Sequence, residues 1–124
     1  MDDRARWAFA DVIGDGDQTV LLLDKTGNVV AGIYMDSKAR DVSAEIGRAL
    51  GPIGDEARRA MRHLPLGGWR ALSVECEDAN LAVGPAGEGD VVVVAGAPSV
   101  PVGFVRRLLS HAALRALAWR EEVA

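Results

Sequence analysis

The sequence predicts an α+β protein whose elements follow the order αββαβββα, with five strands in a largely antiparallel sheet. Short apolar runs of strand length are separated by turns that are rich in Gly, Asn and Asp, which favours hairpins between neighbouring strands. Two longer segments repeat apolar residues with helical spacing. Strands joined by hairpins, with helices inserted between the sets, are typical of α+β folds.

The first part of the chain predicts a short helix followed by a hairpin. Residues 2–13 suit a helix, because Asp2 and Asp3 lie where the helix dipole favours negative charge. The run at 19–24 is continuously apolar before its final Asp, which predicts a strand buried on both faces. A turn at 25–28, in which Gly27 can adopt a positive φ, leads into a second strand at 29–35.

The middle of the chain predicts one long helix over 42–64, kinked near Pro52 and capped by Asp41 or Ser43. Its apolar residues keep the same phase on both sides of the proline, which favours one helix over two. We expect this stripe to face the core. The stripe consists of Val42, Ile46, Ala49, Leu50, Ile53, Ala57, Ala60, Met61 and Leu64.

The last part predicts strands at 69–77, 80–84 and 91–95 and a closing helix at 102–122. We expect Cys76 to be a small core residue, because it shares a strand face with Leu72 and Val74. The closing helix has its own apolar stripe, which consists of Val105, Leu108, Leu109, Ala112, Ala116, Trp119 and Val123.

Length and charge limit the classes of function. The 124 residues suit a single domain, 1–124, and the net charge of −4 disfavours nucleic-acid binding. One cysteine excludes an intrachain disulfide. The acidic start lacks the pattern of a secretory signal, and no apolar run reaches the ~20 residues that span a bilayer, so we expect a cytoplasmic protein.

The sequence contains no catalytic or metal-binding constellation. The segment from Gly96 to Gly103 follows an apolar strand as a phosphate-binding loop does, but it has two prolines without N–H groups and lacks the lysine of that motif. His63 and His111 have no partners at metal-ligand spacing. We therefore expect no enzymatic activity, no cofactor and no metal.

Small residues on the middle helix predict a homodimer. Each glycine inside a helix costs about 1 kcal/mol relative to alanine, and close approach of a second backbone offsets this cost. The alternative is a loosely formed helix that breaks at Pro52. If strand 69–77 lies at a sheet edge, its free backbone groups favour pairing with a second chain. The expected interface consists of Ala44, Gly47, Gly51, Gly54, Arg58, Trp69, Ala71 and Ser73.

The closing helix offers a second candidate surface. Arg106 and Arg107 lie outside its apolar stripe, and so do Leu114 and Leu117. A basic amphipathic helix can hold a protein partner, although a solvated helix face has the same composition.

In the order of its motifs, the chain resembles the roadblock family, which includes dynein light chains and bacterial regulators of small GTPases. The motifs are the hairpin LLLDKTGNVVAG (21–32), the small-residue helix SAEIGRALGPIGDEARRAM (43–61), the strand VVVVAG (91–96) and the segment PVGFVRRL (101–108). The resemblance covers about residues 5–122. The first helix is shorter than is usual in the family, and Pro52 interrupts the helix that members use in dimerisation.

The resemblance implies a profilin-like or longin-like fold and a dimer in which the middle helices pair and the third strands join. It implies a non-enzymatic adaptor that binds a Ras-like small GTPase. An arginine such as Arg58 or Arg59 could act in trans on the nucleotide of that GTPase, although an arginine on the back of a helix is usually solvated. One alternative is a structural scaffold or signalling-complex subunit that does not contact a GTPase. A second is a small-molecule sensor with a pocket between sheet and helix.

Overall fold

A computed structural model describes residues 1–124 and contains one five-stranded antiparallel sheet in the order β2-β1-β5-β4-β3. None of its helices combines the length and the apolar character that crossing a membrane requires. The five strands and the closing helix confirm the predicted fold class. The elements are α1 (Asp3–Arg6), α2 (Ala10–Ile13), β1 (Thr19–Leu23), β2 (Val29–Ile33), α3 (Ser43–Leu50), α4 (Ile53–Met61), β3 (Leu72–Glu75), β4 (Asn80–Pro85), β5 (Val91–Gly96) and α5 (Val102–Val123).

The centre of the sheet is formed by β1 and β5, the two strands with continuous apolar runs. Val20 of β1 lies opposite Ile33 of β2 on one side and opposite Val94 of β5 on the other. Strand β5 is buried over its whole length, as expected for a strand with helices above and below it. Burying one such valine or leucine stabilises the fold by about 1.5–3 kcal/mol, so these two strands supply much of the core.

Alternation along the strands divides the core into two layers. Helices α1, α2 and α5 cover one side of the sheet, called here the α5 face, and α3 and α4 partly cover the other, called the α3/α4 face. The α5 face is the larger layer and includes Phe9, Val20, Leu22, Val92, Val94, Val105, Leu109, Ala112, Ala116 and Trp119. The α3/α4 face has a smaller core of Leu21, Leu23, Val83, Val91 and Val93.

Two predicted helices are each interrupted. The middle segment forms α3 and α4 rather than one continuous helix, because Pro52 has no N–H to donate to the carbonyl of Arg48. The backbone nevertheless stays right-handed through Gly51 and Pro52, with φ of −52° and −69°, so the phase of the side chains is kept. The predicted helix over 2–13 is likewise divided into α1 and α2.

Candidate interaction surfaces

The glycine row of α3 and α4 packs within its own chain. Gly47, Gly51 and Gly54 are buried. A methyl group on Gly47 would overlap the carbonyl oxygen of Gly27, and one on Gly51 would overlap the Gly27 Cα. The expectation that these glycines lie on an open helix face is therefore wrong. Their small size is needed because the β1–β2 turn lies directly against the helix backbone.

The β1–β2 turn that rests on this row is rigidly built. The carboxylate of Asp24 accepts hydrogen bonds from the backbone N–H groups of Thr26 and Asn28 and from both of their side chains. Desolvation raises the pKa of Asp24, but these hydrogen bonds outweigh it and leave the pKa below its usual value. Gly27 has a φ of 89°, which places its backbone where a side chain would strike Gly47. The motif D-x-x-G thus forms a turn that packs against the glycine row of α3 and α4.

Strand β3 forms an open edge of the sheet, which is the condition under which the Trp69 segment was expected to pair with a second chain, and it is shorter than the predicted strand 69–77. The N–H of Cys76 bonds to Ala79 across the β3–β4 turn. Because bonds alternate in an antiparallel ladder, the N–H groups of Ser73 and Glu75 then point away from β4. This edge carries backbone donors and acceptors without partners in the chain.

Apolar side chains lie uncovered beside this edge. Leu72 and Val74 project to the α3/α4 face, where they are 41% and 42% exposed, since α3 and α4 lie over the other end of the sheet. Cys76 is exposed too, so the expectation of a buried cysteine is wrong. The cause is that no helix of this chain covers β3 on that side. We call the exposed Leu72, Val74 and Cys76, with the half-buried Trp69 and Leu81 at their margin, the bare patch.

The apolar stripe of α3 and α4 borders the bare patch. Ile46, Leu50 and Ile53 are only partly buried against the core, and Leu64 is 47% exposed. The stripe was expected to face the core and the glycines a second chain. In the structure the glycines face the core, and the stripe lies at the margin between core and solvent.

The other residues of the expected interface lie in different settings. Ala44 and Ser73 are exposed, and Trp69 and Ala71 are half-buried. The indole of Trp69 packs on the α3/α4 face, with its Cζ2 3.9 Å from the point where a side chain of Gly54 would begin. Trp69 therefore connects the helix pair to the strand that follows it.

The two arginines of α4 are held by neighbouring acids. Arg58 Nη1 lies 2.7 Å from Asp55, and Arg59 Nη1 lies 2.9 Å from Glu56. All four side chains are more than half exposed. Such surface pairs contribute at most about 1 kcal/mol, and they leave either guanidinium free to exchange its partner.

The segment from Gly96 to Gly103 is closed by side chains of the chain itself. The buried Asn80 side chain donates to the carbonyl oxygen of Val100 at 2.9 Å and to that of Pro98 at 3.4 Å. The Val100 side chain fills the space beside Gly96, with its Cβ 3.2 Å from where a Gly96 side chain would begin. These contacts agree with a connecting turn between β5 and α5.

The arginines of α5 fall into two groups, those with an ion-pair partner in the chain and those without one. Arg115 donates to the carbonyl of Ala8 and pairs with Glu122, and Arg120 forms a two-pronged pair with Asp90 at 2.8 and 3.1 Å. Arg106 and Arg107 have no such partner. They lie on the outer side of the helix together with Leu114 and Leu117, which are 70% and 44% exposed.

The start of α3 is tied to β2 by a polar relay. Asp41 accepts from the backbone N–H and from the hydroxyl of Ser43, and the buried Ser43 hydroxyl oxygen accepts from the N–H of Tyr34. The bond from the Ser43 side chain, followed by the one from its backbone, lowers the pKa of Asp41. Val42 occupies the N-cap position of α3 and makes no side-chain cap bond, so neither Asp41 nor Ser43 is the N-cap that was predicted. Asp41 lies one residue earlier and accepts from the N–H of the first helical residue.

The chain also has a cavity beside its first helices, but no cluster of metal-ligand type. No three His, Cys, Asp or Glu side chains lie close enough to hold a metal ion. A cavity of about 380 Å³ lies between the first helices and the β1–β2 end of the sheet, bordered by Trp7, Phe9, Ile13 and Met35, with Arg6 among its lining residues. Its lining is mostly apolar.

The fold matches several solved structures. A roadblock/LC7 domain from Streptomyces avermitilis has a TM-score of 0.73 at 17% identity, over 94% of this chain and 97% of that one. An MglB structure with a tetrameric arrangement has 0.79 at 19%, over 98% and 91%. Myxococcus xanthus MglB has 0.75 at 15%, over 97% of both chains. No family model and no curated protein matches the sequence. The chain therefore has the roadblock/LC7 fold.

Proposed function

We propose that this protein is a non-enzymatic, cytoplasmic homodimer that acts as an adaptor and regulates a Ras-like small GTPase. The observation that carries the proposal is the open edge of β3 beside the bare patch. An unpaired strand edge with exposed Leu72 and Val74 next to it requires either a partner or a means of blocking aggregation. The edge has no proline, and all four residues of β3 are exposed.

A second copy of the chain satisfies both features at once. Two β3 strands related by a two-fold axis run antiparallel, so the outward groups of Ser73 and Glu75 find partners in the other copy. The same operation brings the partner's α3 and α4 towards the bare patch. The half-buried stripe of Ile46, Leu50 and Ile53 then becomes buried, whereas the glycine row keeps its contacts inside each protomer.

The small GTPase is the partner that the resemblance to the roadblock family implies, and the shared fold supports it. Such an adaptor needs no catalytic centre of its own, since it acts by holding a GTPase or by presenting a residue to it. Arg58 and Arg59 are exposed cations of α4 whose ion pairs can open at little cost.

Proline substitutions test the strand pairing. Ser73→Pro removes an outward N–H and leaves the β4 ladder intact, so we expect a folded monomer in sedimentation velocity at tens of micromolar. Val74→Pro removes a bond to β4, so it should also lower the free energy of unfolding. A wild-type monomer, or a Ser73→Pro dimer as tight as wild type, would contradict the proposed pairing.

A second pair of variants tests the patch. Leu72→Glu places a charge in the bare patch, whereas Leu114→Glu places the same charge on an exposed position of the α5 face. We expect only Leu72→Glu to weaken the dimer, by at least about tenfold, because a buried charge without a partner costs more than 1.4 kcal/mol. Equal effects of both variants would show that the patch is not the interface.

The GTPase contact is tested by comparing captures from the native lysate under GTP-loaded and GDP-loaded conditions. We expect one small GTPase whose recovery depends on the nucleotide. A dimer that recovers no GTPase in either condition would favour the scaffold alternative. The small-molecule alternative is supported by the cavity beside Trp7. It predicts a ligand that changes Trp7 fluorescence and leaves the dimer unchanged.

A further inference from the structure

A basic groove runs along α5 on the side of the sheet opposite the bare patch. One wall is the outer row of α5, formed by Arg106, Arg107, Ser110, Ala113, Leu114 and Leu117. These residues recur at intervals of three and four, so they make one continuous stripe on the helix. The other wall is formed by Arg70 and Ala71 ahead of β3 and by Gly84 and Pro85 at the end of β4.

The groove carries positive charge that no acidic side chain of the chain neutralises. Arg70, Arg106 and Arg107 form no ion pair in the chain, and no acidic side chain lines the groove. This local positive charge belongs to a protein of net charge −4, whose other α5 arginines, Arg115 and Arg120, are already paired. Like charges on neighbouring residues repel one another in the free chain, and an acidic partner relieves that repulsion.

The groove also has an apolar end. Leu114 is 70% exposed and Leu117 is 44% exposed, and they lie further along α5 than the arginines. Arg107 at the other end lies with its guanidinium carbon 5.9 Å from the ring centre of Phe104, which holds the cation over an aromatic face. From Gly103 to Leu117 the stripe extends about 21 Å, which matches about 14 residues of helix or about six of extended chain.

We propose that this basic groove (Arg70, Arg106 and Arg107 with Leu114 and Leu117) binds a short segment of another protein that is acidic at one end and apolar at the other. Its carboxylates pair with the three guanidinium groups, and its apolar residues cover the two leucines. A concave groove with one charged end and one apolar end fits a peptide segment whose side chains change from acidic to apolar. A membrane surface, in contrast, needs a convex or flat basic surface on the protein. The site is additional to the proposed dimer, because its α5 wall lies on the face of the sheet opposite the bare patch.

The test begins with selection on the immobilised full chain from a displayed library of random peptides of about 14 residues. Synthetic copies of enriched peptides are then titrated into the chain and its variants, with fluorescence anisotropy giving the affinity and backbone amide shifts giving the site. Arg106→Glu reverses one groove charge. Arg62→Glu is the matched control, since Arg62 is an exposed arginine beyond α4 without an ion pair.

We expect enriched peptides to combine acidic and apolar halves and to shift the amides of Gly103, Ser110 and Ala113. Arg106→Glu should lower the affinity for these peptides at least about tenfold and Leu114→Ser at least about threefold. Arg62→Glu should lower it less than about twofold. Both Arg106 and Leu114 are exposed, so these variants keep the fold. The proposal is overturned by a library that yields no acidic class, by equal weakening with Arg62→Glu, by shifts confined to another surface, or by binding only to vesicles of anionic phospholipid.

Discussion

Gly51 of the middle helix segment lies directly against Gly27 in the turn between the first two strands. A side chain on Gly51 would begin 2.8 Å from the Gly27 nitrogen and closer still to its Cα, and a side chain on Gly27 would begin 2.6 Å from the Gly47 carbonyl oxygen. Because these contacts involve backbone atoms, no change of side-chain rotamer can relieve them. The two glycines are therefore needed together, one in the turn and one in the helix.

The first prediction concerns Gly51→Ala. The added methyl meets backbone on both sides, so overpacking of about 1–3 kcal/mol should exceed the gain in helix propensity of at most about 1 kcal/mol. We expect the free energy of unfolding to fall in urea denaturation, in monomer and dimer alike. Gly103→Ala is the control, because open space surrounds that position, and it should be neutral or slightly stabilising. An alanine at 51 that leaves stability unchanged would contradict the contact.

The second prediction concerns the closed loop before α5. Asn80→Ala removes the part-buried hydrogen bonds to the carbonyls of Pro98 and Val100, which should cost about 0.5–1.5 kcal/mol. Ser99→Ala, at an exposed position of the same loop, should change stability by less than about 0.5 kcal/mol. Thermal unfolding of both variants measures the difference. Equal stability of the two would mean that the loop does not depend on Asn80.

The third prediction concerns the pH dependence at Asp41. Its folded-state pKa lies below the ordinary value of 3.8 because of its bonds from Ser43, so its ionised form stabilises the fold above that value. This contribution is lost as the pH falls through the folded-state pKa. We expect Asp41→Asn to be less stable than wild type at neutral pH and the difference to shrink below about pH 4. Urea titrations across this range check it, and a difference independent of pH would contradict the assignment.

The fourth prediction concerns nucleotides. The loop from Gly96 to Gly103 has two prolines without N–H groups, and Val100 fills the space beside Gly96, so the loop should bind no phosphate. Titration with GTP or ATP should leave the backbone amides of Ala97, Val102 and Gly103 unmoved, and the purified protein should show no turnover above background. Saturable shifts confined to this loop, or turnover that a point mutation abolishes, would refute the prediction.

The element types could be predicted because local chemistry fixes them. Continuous apolar runs made β1 and β5 central strands, the turn at Gly27 made a hairpin, and the apolar period of 102–122 made a long helix. A disturbance at Pro52 could be predicted too, since a missing N–H is a property of one residue, but the sequence favoured one kinked helix over two. Its consequence, two helices in one phase, needed the backbone dihedral angles.

The sequence by itself determined that the middle helix has two distinct faces, one of glycine and one of larger apolar residues, and it left open whether strand 69–77 lies at an edge. Only the tertiary structure decided which face of the helix packs against the core. The physical reason is that helical periodicity shows which residue types share a face of the helix. It does not show which part of the protein packs against each face. Here a tight turn at Gly27 approaches the helix, which only glycine permits, and so the larger apolar stripe is left at the margin of the bare patch.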